Sequence, residues 1–279
     1  LSQSLIFACT IVTNTNDSGD GSLRAAIECA NSQAGNDVVT FDLTGQASYV
    51  IFPLSQLPVL ENGTSIDGSA VAIGNLIIDG GLLNNNEDGI TITGSNCTIY
   101  ALQISNFPDD GIYIQENTSN VEIGTIGKPN IIINNGRTST SGDGIYAFNT
   151  DSLSIQGNLI GTNLNNTQNT SNADDGIHIT NSSNINIGTI FGNLIVKNGD
   201  DGIVIIESNM VNIFSNSIGG NQALSNNDIG NNGNGITLIG GSNINIGASL
   251  NDYKNNILNN KENGLLVQDL EGINIINNT

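Results

Sequence analysis

The chain has 279 residues and carries 26 Asp and Glu against 6 Lys and Arg, a formal net charge of −20 at pH 7. This imbalance argues against nucleic acid and anionic membrane surfaces as partners, because long-range repulsion opposes both. A hydrophobic fraction of 37% is enough to bury a core, so we expect a folded chain.

The N-terminal segment Leu1 to Ala8 is apolar but too short to span a bilayer, and we predict no membrane span. It fits a first strand or the remnant of a secretion signal. Cys9 and Cys29 are close enough in sequence to suggest a local disulfide, which the sequence alone leaves open. Cys97 lies in an apolar alternation, where a buried free thiol is expected.

The segment from Ser22 to Ala30 favours a helix, which is rare in this Asn- and Gly-rich chain. Ser22 can cap its N-terminus, and one apolar face is formed by Leu23, Ala26, Ile27 and Ala30. Such a helix would cover the unpaired strand and exposed core at one end of a stack of strands. We therefore predict a short N-terminal capping helix.

Further along, an acidic residue or Asn is followed by Gly and then by a short apolar alternation. The pattern recurs, beginning at Asp88, Asp110, Asp143, Asp175, Asp201, Asn234 and Asn263. Each copy predicts a half-buried strand, and its Gly is expected to supply the left-handed backbone of a tight turn.

About eleven residues after each Gly comes a second apolar alternation, and a third short strand opened by Asn follows in most copies. Three short strands per repeat predict an all-β fold, the right-handed parallel β-helix. We predict one continuous domain, in which residues 1–80 form the capping module and first coils. Residues 81–279 form regular coils and leave the C-terminal end open.

Asn also recurs before the second strand of the coils, at Asn96, Asn120, Asn184, Asn209 and Asn243. Stacked at the spacing of β-strands, about 4.8 Å, such side chains can hydrogen-bond one another along the axis. The sequence therefore predicts an asparagine ladder at this turn.

Several motifs are similar to those of a known family. The N-terminal module Gly21–Ile27 (GSLRAAI), the turn Ile66-Asp67-Gly68, and Asn158–Thr162 leading to Asp175-Gly176-Ile177 resemble the large secreted and surface-anchored bacterial proteins with pectin-lyase-like right-handed β-helix repeats. The resemblance covers nearly the whole chain. It implies the β-helix fold and a secreted or cell-surface location, and it is compatible with adhesins, structural surface proteins and polysaccharide enzymes alike.

An enzymatic function is the alternative. Acid pairs such as Asp200-Asp201 precede several of the repeated glycines, and Gly199–Ile203 resembles the acid-pair motif of polygalacturonases. The chain has neither the Arg-Ile-Lys nor the Gly-His-Gly element of that family. For a glycoside hydrolase or polysaccharide lyase, the candidate catalytic residues are Asp175, Asp201, His178, Arg137 and Lys197.

Alternation places His178 on the outer face of its strand, in one column with Tyr113 and Tyr146. With Asp110 and Asp143 beside them, these rings form a candidate glycan-binding surface, or they are ordinary stacking pairs of a sheet. Stacked acidic turns also need relief from mutual repulsion, and a hard cation would provide it. Calcium is the candidate cofactor, bound by Asp174, Asp175, Asp200 and Asp201.

The last coil is expected to leave strand edges and core residues uncovered. We therefore expect either that more protein follows or that a neighbouring subunit stacks or donates a strand there, which would be self-association. Together these features favour an extracellular structural or adhesive protein, such as a stalk, a filament subunit or a glycan-binding rod. Polysaccharide cleavage is the second hypothesis.

Overall fold

The computed structural model describes residues 9–138, 141–165, 170–220, 229–249 and 253–279. Within these residues the chain winds into a parallel β-helix, in which successive coils add strands to three sheets and neighbouring strands pair in parallel. This confirms the fold class predicted from the repeats.

The strands are numbered in chain order, and each sheet takes about every third one. Sheet 1 contains β1 (Ile11–Val12), β2 (Asp37–Phe41), β4 (Thr64–Asp67), β7 (Thr98–Tyr100), β10 (Ser119–Ile123), β13 (Asp151–Ile155), β16 (Ser183–Ile187), β19 (Asn209–Ile213), β22 (Ser242–Ile246) and β25 (Glu271–Ile275). Sheet 2 contains β3 (Tyr49–Ile51), β5 (Leu76–Asp79), β8 (Gln103–Ser105), β11 (Ile131–Ile133), β14 (Leu159–Ile160), β17 (Leu194–Ile195), β20 (Ser217–Ile218) and β23 (Asn256–Ile257). Sheet 3 contains β6 (Ile90–Ile92), β9 (Ile112–Ile114), β12 (Ile145–Phe148), β15 (Ile177–Thr180), β18 (Ile203–Ile206), β21 (Ile236–Ile239) and β24 (Leu265–Gln268).

The core is a stack of aliphatic side chains that point inward from all three sheets. In the coil of β15, β16 and β17, for example, Ile177, Ile185 and Ile195 are each fully buried. Each stacks on its counterpart in the next coil. Because β4 pairs with β7 and β5 pairs with β8, the first coils and the later coils share one core.

A single α-helix is present in the described part of the chain, α1 (Leu23–Ser32). The Ser22 side chain accepts a hydrogen bond from the backbone N–H of Ala25, which caps the helix as predicted. The apolar face packs against β1, β2 and β4 and joins the hydrophobic core through Leu23, Ala26, Ile27 and Ala30.

Two asparagine ladders run inside the coils. They flank the strands of sheet 2, whereas the predicted ladder was placed before the strands of sheet 1. The first contains asparagines that precede strands of sheet 2 and ends at Asn278. Each carboxamide donates to the Oδ1 atom of the next: Asn130, Asn158, Asn193, Asn216, Asn255 and Asn278. The second follows the same strands and contains Asn135, Asn172, Asn198, Asn231 and Asn260. Both are buried along most of their length, so they satisfy polar groups that water cannot reach.

The predicted ladder before sheet 1 is wrong beyond its first step. Asn120 donates to Asn96, but Asn184 donates to Asp151, and Asn209 accepts from Ser242. Asn96, Asn120, Asn184 and Asn243 have φ values between 53° and 60°, so Asn is used here for its tolerance of the left-handed conformation.

Cys9 and Cys29 form a disulfide with their Cα atoms 6.0 Å apart, and Cys97 is a free, buried cysteine as predicted. The strand predicted at Leu1–Ala8 lies outside the described residues. Among the described helices, none has the length and apolar character needed to cross a membrane.

Candidate functional site

The repeated Asp-Gly turns bring a column of carboxylates to the edge of sheet 3. In each coil the Asp Oδ1 atom accepts a hydrogen bond from the backbone N–H of the equivalent residue in the next coil. The distance is 2.7 Å from Asp110 to Asp143, and 2.9 Å both from Asp143 to Asp175 and from Asp175 to Asp201. The column is therefore in register, and each carboxylate is held by the backbone above it.

The glycines of these turns do not have the predicted left-handed backbone. Among them, Gly111, Gly144, Gly176 and Gly202 lack positive φ values. A Cβ atom on Gly176 would instead lie 2.6 Å from the carbonyl oxygen of Gly202. Gly is required here because the next coil approaches too closely for a side chain.

Beside the carboxylates, Tyr113, Tyr146 and His178 lie in one outward column, because β9, β12 and β15 pair in register at these residues. The Tyr113 and Tyr146 rings stack with centroids 5.4 Å apart and planes 15° from parallel. His178 meets Tyr146 edge-on, also at 5.4 Å. The two tyrosines thus cover each other's facing surfaces and offer a ligand their hydroxyls and ring edges.

The His178 imidazole lies between carboxylates of two coils. Its Nδ1 atom is 3.2 Å from Asp175 Oδ2 and 3.6 Å from Asp143 Oδ2. The two aspartates are buried, whereas the His178 side chain is 25% exposed. The imidazole therefore connects the buried carboxylates to the surface.

These groups share a cleft of about 320 Å³, which we call the acidic cleft. It is lined by Asp109, Asp110, Ser141, Asp143, Tyr146, Asp174 and His178. The predicted ligand-binding residues Asp110, Asp143, Tyr146 and His178 therefore come together, and Tyr113 stacks next to them. Ser141 was not predicted. In this coil Gly142 stands where the neighbouring coils carry the first acid of a pair, so the repeat pattern does not single out Ser141.

Burial and mutual repulsion raise the pKa values of several acids in this cleft. Burial raises the pKa of Asp110 to about 8, and the charges of Asp88 and Asp109 add to the rise. Burial and the neighbouring Asp110 and Asp175 hold the pKa of Asp143 well above its usual value. Burial and Asp175 raise the pKa of Asp174 to about 6. Part of the column therefore carries protons at neutral pH.

The predicted calcium ligands converge only in part. Single oxygens of Asp174, Asp175 and Asp200 lie within 4.8 Å of one another. Asp201 is engaged elsewhere: its carboxylate accepts hydrogen bonds from the Asn234 side chain and from the Thr237 hydroxyl. The engagement of Asp201 arises because the next coil carries Thr at the outward position, which the sequence of one repeat does not reveal.

Neither of the two cations proposed for an enzyme lines the acidic cleft. Arg137 donates from its guanidinium to the backbone carbonyls of Asn106 and Leu83. Lys197 is a turn residue with a φ of 61°, and its backbone N–H donates to Ile229. Of the described residues that line the acidic cleft, none is Lys or Arg.

No family model matches this chain, and no curated protein matches it. Among solved structures it is similar to the A-module of the Azotobacter vinelandii mannuronan C-5 epimerase AlgE4, with 14% identity, 96% of this chain and 97% of that chain covered, and a TM-score of 0.37. It is also similar to an alginate lyase from Paenibacillus sp. (15% identity, 95% and 99% covered, TM-score 0.32) and to the Streptococcus pneumoniae surface adhesin PfbA (11%, 95% and 94%, TM-score 0.38). At these similarities the function has to be inferred from the side chains of the site.

Proposed function

We propose that the chain is a secreted or surface-displayed β-helix that binds a glycan in the acidic cleft. The observation that carries the proposal is the column of Tyr113, Tyr146 and His178 beside buried carboxylates, on an outer face of sheet 3. Ring edges provide apolar contact for a sugar, while tyrosine hydroxyls and carboxylates pair with its hydroxyl groups.

The charge of the chain narrows the class of glycan. With a net charge of −20 and no cation among the described residues of the cleft, a polyanionic glycan would be repelled. We therefore propose a neutral polysaccharide or oligosaccharide. Acidic glycans would require a bridging cation. We propose calcium for that role, bound by the three predicted ligands that converge, Asp174, Asp175 and Asp200.

The rod itself supports a stalk-like or adhesive role. Regular coils held by two asparagine ladders form a stiff support that displays the cleft along its side. Self-association of the rod is part of this proposal. Light scattering over a range of concentrations tests it, since a rod that associates should gain mass with concentration.

Glycan binding is tested by retention of the chain on neutral and uronate polysaccharides, followed by titration with oligosaccharides of the retained class. We expect Tyr146→Ala to weaken binding at least about tenfold, as is common for an aromatic contact at a binding centre. Tyr253→Ala is the matched control, because it removes a tyrosine that packs on Phe214 outside the cleft. Retention on none of the polysaccharides, or equal loss in both variants, would contradict the proposal.

Polysaccharide cleavage is the second candidate. It is favoured by Asp110, whose pKa of about 8 would keep a proton available at neutral pH close to Asp143 and His178. Incubation with the same polysaccharides, followed by reducing-end and unsaturated-product measurements, separates cleavage from binding. Turnover that is lost in Asp175→Asn and Asp201→Asn would establish the enzyme.

A further inference from the structure

We propose that Asp143, Asp175 and His178 form an open binding site for a divalent transition metal of the zinc class. The site lies in the wall of the acidic cleft, which Tyr146 and Asp174 also line. It does not depend on glycan binding, because the three ligands come from the chain alone.

The distances fit one ion. Zinc bonds to imidazole nitrogen and carboxylate oxygen are about 2.0–2.2 Å long, so at a tetrahedral angle two ligand atoms lie about 3.4 Å apart. His178 Nδ1 is 3.2 Å from Asp175 Oδ2 and 3.6 Å from Asp143 Oδ2. The longer distance exceeds a hydrogen bond, whereas both distances suit edges of a tetrahedron. One ligand atom from each residue lies within 4.8 Å of the other two.

The two carboxylates are already oriented for this role. Asp143 Oδ1 accepts from the backbone N–H of Asp175, and Asp175 Oδ1 accepts from the backbone N–H of Asp201, both at 2.9 Å. Each Oδ2 atom is thereby turned toward His178. Backbone anchors of this kind fix a ligand before the metal arrives.

Asp143 is only 3% exposed, and its Oδ2 atom lies 3.6 Å from His178 Nδ1 in the wall of the acidic cleft. Burial and the neighbouring carboxylate of Asp175 disfavour the charged form of Asp143. A cation held between Asp143 and Asp175 would offset both effects.

In two other coils of the same column, the corresponding Oδ2 atom accepts from a threonine hydroxyl. Asp88 Oδ2 accepts from the Thr91 hydroxyl, and Asp201 Oδ2 accepts from the Thr237 hydroxyl. At the outward position of β15 the chain carries His178 instead of threonine. A hydroxyl donor is thus replaced, in this coil, by a nitrogen that can ligate a metal.

The donor set selects the metal. Calcium prefers six to eight oxygen ligands, whereas imidazole together with carboxylates suits zinc and its neighbours. Three protein ligands leave one tetrahedral position for water or for a ligand oxygen, as in zinc sites that act on or bind small groups.

The experiment uses the untagged chain, stripped with EDTA and titrated with Zn²⁺ at neutral pH by calorimetry. Because the chain has a single histidine, long-range ¹H–¹⁵N spectra report His178 alone. We expect a shift of the Nδ1 resonance at one equivalent of Zn²⁺, with the proton retained on Nε2. His178→Gln and Asp175→Asn should weaken binding at least about tenfold.

Asp110→Asn is the matched control, since it removes a buried carboxylate of the same column whose coil carries Tyr113 instead of histidine. It should retain Zn²⁺ affinity. An unchanged imidazole spectrum in the presence of Zn²⁺, or Zn²⁺ affinity that survives His178→Gln unchanged, would overturn the proposal. If Asp175→Asn fails to fold, the spectrum of the unmodified chain still decides.

Discussion

The side chain of Asn158 joins its coil to the preceding one by bonding both the backbone and the side chain of Asn130. Its Oδ1 atom accepts from the backbone N–H of Asn130 at 3.1 Å and from the Asn130 carboxamide at 3.0 Å. Its own Nδ2 atom donates to the backbone carbonyl of Ile123 at 2.8 Å and to Asn193 at 3.0 Å. One side chain thus satisfies buried groups of two neighbouring coils and fixes their spacing.

Asn158→Ala should therefore destabilise the chain by about 3 kcal/mol, because it leaves the buried backbone N–H and one carboxamide N–H of Asn130 without an acceptor. Asn212→Ala is the control: Asn212 belongs to a half-buried ladder on sheet 1, between Asn186 and Asn245. It should cost less than about 1 kcal/mol, since water can replace its partners. Urea unfolding of both variants measures the difference, and equal losses would contradict the ladder's role.

The close approach of coils at the Asp-Gly turns predicts a second contrast. Gly176→Ala places a Cβ atom 2.6 Å from both the Gly202 carbonyl oxygen and Ile195 Cγ2, so the coils must separate. The expected loss is about 1–3 kcal/mol, typical of an overpacked interior. In Gly264→Ala the new Cβ atom meets only Ile257 Cγ2, at 3.6 Å, and the change should be tolerated. Thermal unfolding of the pair tests whether contact, and not backbone conformation, requires these glycines.

Asp88 predicts a dependence of stability on pH. Burial, assisted by the charge of Asp109, raises its pKa from 3.8 to about 6 in the folded chain. The unfolded chain gives up this proton more readily, so the stability that protonation provides is full below about pH 4. It is lost as the pH rises through about 6.

Asp88→Asn removes this dependence and keeps a shape that Asn234 already adopts in the same column. We expect the variant to be more stable by on the order of 1–2 kcal/mol at pH 7.5, after allowance for water near the half-buried carboxyl, and nearly unchanged at pH 4. Melting temperatures across this range test the sign. A larger gain at pH 4 than at pH 7.5 would show that the assignment is wrong.

The sequence predicted the fold because its two main signals are local. Alternation in a strand such as β15 determines which side chains face inward, and equal spacing from each Gly sets the register of the next coil. The outward column of Tyr113, Tyr146 and His178 follows from those two facts. The α1 cap at Ser22 is local for the same reason.

What the sequence did not predict depends on contacts between coils. The buried ladder at Asn158 could not be distinguished from the turn at Asn184, because both are Asn beside a strand. Their difference lies in φ and burial. The engagement of Asp201 likewise depends on Thr237 in the next coil, and the position of the Arg137 guanidinium depends on carbonyls of two earlier coils. Such pairings become visible only once the coils are stacked.

The disulfide between Cys9 and Cys29 gives the last prediction. It ties the segment before β1 to α1 and closes a loop of 20 residues. For a loop of this length, the lower entropy of the cross-linked unfolded chain stabilises the fold by about 3 kcal/mol. Reduction should therefore lower the stability of the N-terminal coil, where α1 packs on β1 and β2. The later coils should be affected less, because each contacts mainly its neighbours.

Hydrogen exchange of the chain with and without a reductant measures this gradient. The Cys9→Ser, Cys29→Ser double variant controls for side effects of the reductant. A uniform loss of protection from α1 to β25 would show instead that the coils unfold as one cooperative unit.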